Sequence, residues 1–371
     1  GLDEGFGYGN YEDEDFCARL QMLGLRIGVL PSTFVFHHGS VTFRENRIDH
    51  LEWMIRNLDR YVGKLERFCT QPPRDAVRRT VRADTAVSVI VRTHNRPDDL
   101  KIALNSLAWQ SFDDFEVIVV NDGGCDVSEV LSSYEEHLRL EHVINESPRG
   151  PSAAANDGLA AARGKYVAFL DDDDIAYPFH LASLVSCADR SQAPVVYSHY
   201  NRALVRGHGD EALVLERAHM PPWRYDRSEL LVQNRPAVHT WLVARHVFDR
   251  HGLFDADLTI LWDWDFLLRV TEKSPLVGLP RETCEYRIYL DLANSVTSSR
   301  RRALDELQRI YARHPASSGV VRLARKLEVA GLESQVHLAA RLLALADRGD
   351  ITREDAARRY IAEVFGIRSI A

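Results

Sequence analysis

The chain has 371 residues, which is long enough for one large domain with additional material or for two domains. Its hydrophobic fraction of 45% and charged fraction of 27% are ordinary for a globular protein, and a formal net charge of −8 argues against a general nucleic-acid binder. Five cysteines without a CxxC pair favour reduced thiols in a cytoplasmic protein over disulfides or a zinc site. No apolar run approaches the roughly 20 residues of a membrane span, and no signal peptide is recognisable.

The region from 87 to 200 alternates apolar strand patterns with helical patterns. This alternation predicts βαβ units, an α/β class and a mainly parallel sheet. We predict strands at 87–91, 115–120, 142–145, 166–170 and 195–197, with helices opening at Pro97, Pro151 and Pro178 and a further helix around 127–131. The pattern beyond residue 200 is more mixed, and residues 300–365 have helical spacing throughout.

The strand predicted at 166–170 runs directly into four consecutive aspartates, Asp171 to Asp174. A buried strand delivers such residues to the carboxyl edge of its sheet, where open α/β sheets bind ligands. Clustered carboxylates repel one another unless a cation neutralises them. Hard oxygen ligands suit Mg²⁺ or Mn²⁺, which usually accompany a phosphate-bearing substrate. A solvated acidic loop is the alternative interpretation.

Two segments far apart in the chain repeat one pattern. Asp13-Glu14-Asp15-Phe16-Cys17-Ala18-Arg19-Leu20 and Asp263-Trp264-Asp265-Phe266-Leu267-Leu268-Arg269-Val270 share the order Asp-x-Asp-Phe-x-x-Arg-apolar. Repeated motifs usually indicate repeated architecture. Chance similarity between two acidic helix starts is the alternative. Between the copies, the prolines of Gln71-Pro72-Pro73-Arg74 and a polar stretch to residue 84 predict a linker.

Five motifs occurring in order resemble family 2 glycosyltransferases with the GT-A fold. They are Val87-Ser88-Val89-Ile90-Val91-Arg92-Thr93-His94-Asn95-Arg96-Pro97, Phe115 to Gly124 with Asp122 at the strand end, Arg149-Gly150 through Lys165, Leu170-Asp171-Asp172-Asp173-Asp174, and Asp263-Trp264-Asp265. The resemblance implies a Rossmann-like, mainly parallel sheet with flanking helices. We therefore expect four segments: a C-terminal remnant of a preceding GT-A-like domain at 1–50, a helical linker at 51–84, the GT-A domain at 85–300 and a helical extension at 301–371.

The resemblance also implies where the nucleotide sugar and its metal ion bind. Asp173 is the first choice for Mn²⁺ or Mg²⁺, with Asp171 binding directly or through water. The residues expected at the nucleotide sugar are Thr93, His94, Arg96, Asp122, Arg149, Asp171 and Asp172. Asp174 is expected to be structural, as a cap of the following helix. A turn residue is the alternative for Asp122, and a plain surface arginine is the alternative for Arg149.

For the catalytic base, the resemblance points to Asp263. A base must take the acceptor proton, because a hydroxyl group ionises far above neutral pH. The alternative for Asp263 is an N-cap of a helix over 264–271. Trp262, Trp264 and Asp265 are weaker candidates for the acceptor site, since aromatic faces suit sugar rings but also suit a core. Two residues depart from the family pattern, Trp262 in place of Glu and Tyr289 in place of His.

The function implied is an inverting, metal-dependent glycosyltransferase. It would move a sugar from a UDP- or dTDP-sugar to a hydroxyl of a glycan or lipid-linked acceptor, in bacterial surface polysaccharide synthesis. We expect a cytoplasmic protein with peripheral contact to the inner face of the cell membrane, and oligomerisation through the helical tail. A catalytically silent module that binds nucleotide sugars or glycans is the alternative. A haloacid-dehalogenase-like phosphatase fits less well, because the acidic strand comes fourth in the predicted order.

Overall fold

The computed structural model describes residues 85–290 and 296–365, with isolated positions between residues 3 and 60. The proposed domain remnant at 1–50 and the linker at 51–84 therefore lie outside the described ranges, apart from those positions. Among them is a short 3₁₀ helix, Glu4–Phe6. Within the two described ranges, none of the helices combines the length and the apolar character that crossing a membrane requires.

The first half of the fold alternates strands and helices as the sequence predicts. Its elements are β1 (Val87–Thr93), α1 (Pro97–Ala108), β2 (Phe115–Asp122), α2 (Ser128–Ser132), β3 (Leu140–Asn145), α3 (Pro151–Ala161), β4 (Tyr166–Asp171), β5 (Ile175–Ala176), α4 (His180–Ser191) and β6 (Val195–Arg206). The predicted strands are confirmed, although most run a few residues further than the apolar runs. The helix expected to open at Pro178 begins two residues later, at His180.

The second half adds antiparallel strands and the C-terminal helices. Its elements are β7 (Leu213–His219), α5 (Arg227–Leu230), β8 (Trp241–Ala244), α6 (His246–His251), α7 (Trp262–Val270), β9 (Val277–Tyr289), α8 (Val296–Arg313), α9 (Gly319–Asp347) and α10 (Arg353–Phe365). Helix α7 begins at Trp262, so Asp263 lies in its first turn and the alternative of an N-cap is wrong. The helical pattern predicted for 300–365 is confirmed.

One mixed sheet joins all the strands of the described ranges, in the order β3-β2-β1-β4-β8-β6-β9-β5, with β7 beside β6. The pairs β1–β2, β1–β4, β2–β3 and β6–β9 are parallel, whereas β4–β8, β6–β8, β6–β7 and β5–β9 are antiparallel. The predicted parallel βαβ units are therefore confirmed in the half formed by β1 to β4, and the antiparallel pairs make the sheet as a whole mixed. The direction of a strand depends on how the chain returns to the sheet. The connections to β7 and β8 bring these two strands in antiparallel to their neighbours.

The parallel half of the sheet brings the polar strand ends together. Arg92 is in register with Asp171, and Asp122 is in register with Asn145. Both faces of this half are covered, so β2 is buried along its whole length and β1 and β4 along most of theirs. Continuous apolar runs are typical of such strands. The polar residues that follow the runs consequently collect at one edge of the sheet.

The C-terminal helices are part of this core. Leu307 and Ile310 of α8 belong to the same buried cluster as the central strands. Glu306 is 2% exposed, and its carboxylate accepts hydrogen bonds from the backbone N–H groups of residues 259, 260 and 261 at 2.7–2.9 Å and from the Thr259 hydroxyl at 3.0 Å. Helix α8 therefore fixes the loop that leads into α7.

Replacing Glu306 by Ala should destabilise the protein by about 3 kcal/mol or more, because four donors lose a charged acceptor inside the protein. Urea unfolding followed by tryptophan fluorescence measures the change. Asp305→Ala is the matched control, since the neighbouring Asp305 is exposed on the same helix. Equal stability of the two variants would contradict the role given to Glu306.

Candidate active site

A cavity of about 410 Å³ lies where the acidic end of β4 faces α7. It draws residues from β1, β4, β6, β9, α7 and three connecting segments. The lining residues are Arg92, Asp171, Tyr197, Ser198, His199, Tyr200, Met220, Pro221, Trp223, Asn234, Arg235, Pro236, Ala237, Val238, His239, Ile260, Trp262, Asp263 and Tyr286. Asp171 is expected to bind the metal ion and the donor, and Asp263 is expected to be the catalytic base. Both residues therefore face the same cavity.

Two arginines hold the acidic tip of β4. Arg92, on the neighbouring strand, forms an ion pair with Asp171. Arg96, just before α1, lies 2.6 Å from Asp173 and 3.3 Å from Asp172. Because parallel pairing sets β1 beside β4, the motif that begins at Val87 supplies the counter-charges for the motif that ends at Asp174.

The arginines leave part of the negative charge uncompensated. Burial raises the pKa of Asp172 to about 6 and raises the pKa of Asp173 well above its usual range. For Asp173, the adjacent carboxylates of Asp174 and Asp172 add to the effect of burial. A site whose carboxylates bind protons this readily is also a site where a cation is favourable.

Asp174 has a different environment from the rest of the cluster. It is fully buried, its Oδ1 accepts a hydrogen bond from the backbone N–H of Arg287 at 2.9 Å, and its Oδ2 lies 3.1 Å from His239 Nδ1. The Asp174 carboxylate holds the pKa of His239 well above its usual range, although burial acts in the opposite direction. Asp174 thus ties the end of β4 to β9 and to the loop before β8. It does not cap α4, whose N-cap is Phe179.

Asp263 is a nearly buried carboxylate at the cavity wall, with 7% exposure. Asn234 Nδ2 donates to its Oδ1 at 3.0 Å and to its Oδ2 at 3.2 Å, and the backbone N–H of Trp264 donates to Oδ1 at 2.8 Å. Burial raises the pKa of Asp263 to about 6, and the hydrogen bonds from Asn234 and Trp264 oppose that rise. A carboxylate with a pKa near the working pH is suited to proton transfer.

Arg92 connects the two carboxylates across the cavity. Its guanidinium pairs with Asp171, and it lies 4.8 Å from the ring centroid of Trp262 in a cation–π contact. Its charge also favours the ionised form of Asp263. Trp262 therefore packs against the arginine that neutralises the acidic tip.

The candidate nucleotide residues collect around Asp122 at the end of β2. Its Oδ1 accepts hydrogen bonds from Asn145 Nδ2 and from the backbone N–H of Arg149, both at 2.9 Å. Its Oδ2 accepts one from the backbone N–H of Gly150 at 2.8 Å, where a φ of 90° favours glycine. His94 Nδ1 lies 2.8 Å from the carbonyl oxygen of Asp122. The carboxylate thus organises the loop between β3 and α3.

Arg96 and Arg149, the two arginines expected to contact the nucleotide sugar, have different partners. The Arg149 guanidinium is about half exposed and pairs with Asp157 at 2.6 Å, whereas that of Arg96 pairs with the acidic tip. Thr93 is buried at the end of β1. Arg96 therefore stands next to Asp172 and Asp173, and Arg149 stands next to Asp122.

Two candidate acceptor residues lie in the protein interior and do not line the cavity. Trp264 is 1% exposed, and its indole N–H donates to the carbonyl of Leu230 at 2.7 Å. Asp265 is 3% exposed and lies 3.0 Å from Arg269 and 3.3 Å from His314. Only Trp262 of the three faces the cavity. The side chains of Trp264 and Asp265 stabilise α7 against its neighbours.

Sequence reasoning missed several cavity residues. Asn234, His239, Tyr200 and Tyr286 line the cavity, and the Tyr286 ring stacks on His239 with an interplanar angle of 5°. These residues come from a loop and from strands far apart in sequence, and none stands in a motif of recognisable spacing. Tyr289 packs elsewhere, stacked on His208 at 4.7 Å between ring centroids.

The residues at the acidic tip fit a divalent ion by their chemistry. Within 85–290 and 296–365, no three Asp, Glu, His or Cys side chains form a ready-made metal cluster. Mg²⁺ is usually held by one or two carboxylates together with substrate phosphates, so a complete protein cage is not required. Asp171 at the cavity and the adjacent Asp173 supply such a pair of hard oxygen donors. Besides burial, the neighbouring carboxylates of Asp174 and Asp172 help to raise the pKa of Asp173, and a bound cation would relieve the same repulsion.

Replacing Asp263 by Asn should stabilise the protein at pH 7.5. The pKa of Asp263 is raised to about 6 in the folded chain, against about 4 in an unfolded one. The native state therefore binds the proton more tightly, so ionisation between about pH 4 and pH 6 lowers stability and the loss is complete above that range. We expect a gain of about 2 kcal/mol at pH 7.5 that shrinks toward pH 4.

Thermal unfolding of the parent and of Asp263→Asn at pH 4.5, 6 and 7.5 measures this difference. Asp113→Asn serves as the control, because Asp113 is exposed and its replacement removes no buried charge. A difference in Tm that does not depend on pH would contradict the buried-charge explanation.

A family model described as glycosyl transferase family 2 matches residues 88–248. The uncharacterized glycosyltransferase EpsJ of Bacillus subtilis is 30% identical over 233 residues, which cover 61% of this chain and 67% of that protein. The uncharacterized glycosyltransferase YibD of Escherichia coli is 41% identical over 106 residues, covering 28% of this chain and 30% of that protein. An uncharacterized glycosyltransferase of Rickettsia felis is 25% identical over 206 residues, covering 55% and 33%. The chain thus spans about a third of the length of the last two relatives.

Among solved structures, a mannosyltransferase of Pyrobaculum calidifontis in complex with GDP-Man and Mn²⁺ aligns with a TM-score of 0.49 and 18% identity, covering 84% of this chain and 88% of that one. TarS of S. aureus in complex with UDP aligns with a TM-score of 0.48 and 18% identity, covering 76% and 83%. The mixed sheet with helices on its faces, together with the family match, is a GT-A-like fold.

Proposed function

Because the chain belongs to glycosyl transferase family 2, we propose that it transfers a sugar from a UDP- or dTDP-sugar to a hydroxyl of a glycan or lipid-linked acceptor, with inversion. The observation that carries this proposal is the cavity shared by Asp171 and Asp263. A donor diphosphate at one side and an acceptor hydroxyl at the other would meet within it.

The donor would bind along the carboxyl edge of the parallel strands. The nucleotide would occupy the region of Thr93, His94 and Asp122, where the loop from Asn145 to Gly150 is already organised. The diphosphate would lie toward Arg96 and the acidic tip. Asp172 would then contact the ribose or the donor sugar. Arg149 would bind the nucleotide after leaving its present partner Asp157.

Asp171 and Asp173 would hold the Mn²⁺ or Mg²⁺ ion. When bound, such an ion supplies positive charge that stabilises the departing diphosphate. Arg92 and Arg96 now neutralise these carboxylates. Once a metal ion neutralises the carboxylates, the two guanidinium groups would be free to donate hydrogen bonds to the diphosphate oxygens. Both groups lie at the same edge of the sheet as the proposed diphosphate site.

Asp263 would act as the general base. Its carboxylate takes the proton of the acceptor hydroxyl while the oxygen attacks the anomeric carbon of the donor. The bond between that carbon and the phosphate oxygen breaks, and its electron pair leaves with the nucleoside diphosphate. A single displacement of this kind inverts the configuration. Trp262, beside Asp263 in the cavity wall, would be available to an acceptor sugar ring.

The remaining expectations concern the whole protein. We propose an acceptor of the bacterial surface polysaccharide type, peripheral contact with the inner face of the cell membrane, and a segment at residues 1–50 that is related to the C-terminal part of the GT-A domain. The sequence repeat between Asp13 and Asp263 supports the last of these.

Replacing Asp173 by Ala or Asp171 by Asn should abolish metal-dependent donor binding, because each removes a hard oxygen ligand. Isothermal titration with UDP- and dTDP-sugars, with Mn²⁺ and with EDTA, measures the loss. Asp113→Ala is the matched control at an exposed carboxylate of the same domain. Unchanged affinity in the presence of Mn²⁺ would remove the altered residue from the proposed metal site.

Replacing Asp263 by Asn should leave donor affinity intact and lower transfer by at least about 100-fold, because the acceptor proton then has no base. Transfer of a radiolabelled sugar to a panel of glycan and lipid-linked acceptors measures the rate. Near-normal transfer would assign the base elsewhere. Donor binding by the parent without turnover on any acceptor would favour a silent binding module.

A further inference from the structure

We propose that Asn234 is a positioning residue for Asp263, and that its side-chain amide holds the carboxylate ionised and aimed into the cavity. The inference rests on the proposed function, since it concerns the same base. Asn234 stands 29 positions from Asp263 in the sequence and outside the motifs that indicated the site. Both residues line the cavity.

The geometry of the contact favours the charged form of Asp263. The Asn234 Nδ2 group reaches both carboxylate oxygens, at 3.0 and 3.2 Å, and Trp264 N–H adds a third donor at 2.8 Å. Donors aimed at a carboxylate stabilise the ionised state and not the protonated one. An asparagine amide can donate here without adding a charge that would compete for the carboxylates of the acidic tip.

The contacts also distinguish the two oxygens of Asp263. Oδ1 accepts two hydrogen bonds, from Asn234 and from Trp264, whereas Oδ2 accepts only the longer one from Asn234. A carboxylate oxygen has two lone pairs, so Oδ2 keeps more capacity for a new proton. Asn234 therefore leaves Oδ2 as the atom that would receive the acceptor proton.

The loop that carries Asn234 is held by the C-terminal helices. The Tyr311 hydroxyl donates to the carbonyl of Val232 at 2.6 Å, and Arg325 Nε donates to the carbonyl of Leu231 at 2.7 Å. Helix α8 also fixes the loop before α7 through Glu306. The two halves of the contact between Asn234 and Asp263 are thus anchored to the same helix.

The charged and titratable groups around Asp263 set the direction of the expected effect. Arg92 from β1 favours its ionisation, whereas Asp171 from β4 opposes it. Arg235 and His239 line the same cavity beyond Asn234. Because burial already disfavours the carboxylate, the loss of the amide donor moves the balance further toward the protonated form.

The decisive experiment is a pH titration of the Asp263 carboxyl carbon by NMR, in protein labelled at the aspartate side-chain carboxyl and with the resonance assigned by its absence in Asp263→Asn. In the parent we expect a midpoint of about 6. Asn234→Ala should raise that midpoint by about one pH unit, because a hydrogen bond to a charged group is lost. Asn234→Asp, of the same size, should raise it further by adding a like charge.

The acidic limb of the pH–rate profile should move with the midpoint. Transfer by Asn234→Ala should fall about fivefold at pH 6 and hardly at all at pH 8, with unchanged affinity for the donor. Gln233→Ala is the control, since this neighbouring amide is exposed and contacts Glu328 and not Asp263. Its titration midpoint and profile should match those of the parent.

An unchanged or lowered midpoint in Asn234→Ala would overturn the inference, even if transfer fell. If one variant does not fold, the titration of the other decides. Absence of transfer in the parent would count against the proposed function alone, because the titration requires neither donor nor acceptor. The two failures are therefore distinguishable.

Discussion

The mutual repulsion of the carboxylates at the end of β4 is the constraint on which the rest of the site depends. Four aspartates in sequence are tolerated there only because positive charge reaches them from three directions. Arg92 comes from β1, Arg96 from the start of α1, and His239 from the loop before β8. The parallel pairing of β1 with β4 is thus an electrostatic requirement as well as a packing arrangement.

The same constraint divides the cluster into two parts. Asp174 is fully buried, forms an ion pair with His239 and accepts a hydrogen bond from a backbone N–H group, so it links β4 to neighbouring elements of the fold. Asp171 and Asp173 are more exposed and are paired with arginine side chains. Long side chains can exchange partners at little cost, whereas a buried ion pair cannot lose one without a large penalty. Asp171, which belongs to the exchangeable part, lines the cavity, whereas Asp174 does not.

The opposite wall of the cavity is stabilised by uncharged and backbone donors. Asp263 is held by an amide and by an N–H group at the start of α7, and its loop is held by Glu306 of α8. The helices beyond residue 296 thus contribute to the shape of the site, whereas the sequence predicted oligomerisation through them. Leu307 and Ile310 are buried within the central core, so α8 is fixed in position relative to the strands that carry the site.

Much of the fold could be predicted from local sequence. Apolar runs located β1, β2 and β4, because strands buried on both faces are mostly apolar. The mixed character of the sheet was not predicted, since strand direction depends on connections whose path no local pattern records. The helix start at Trp262 was also missed, and Asp263 consequently lies inside the first turn.

By itself, the sequence determined that acidic residues stand at a strand end, and that Asp122 and Asp263 stand in motifs that resemble those of the family. Strand ends and helix turns are local properties, and the order of motifs is written directly in the chain. Only the tertiary structure decided that Asn234 contacts Asp263, that His239 pairs with Asp174, and that Trp264 faces the core and not the cavity. Such contacts join residues that are distant in sequence. They follow from the packing of loops and helices, which no local sequence pattern records.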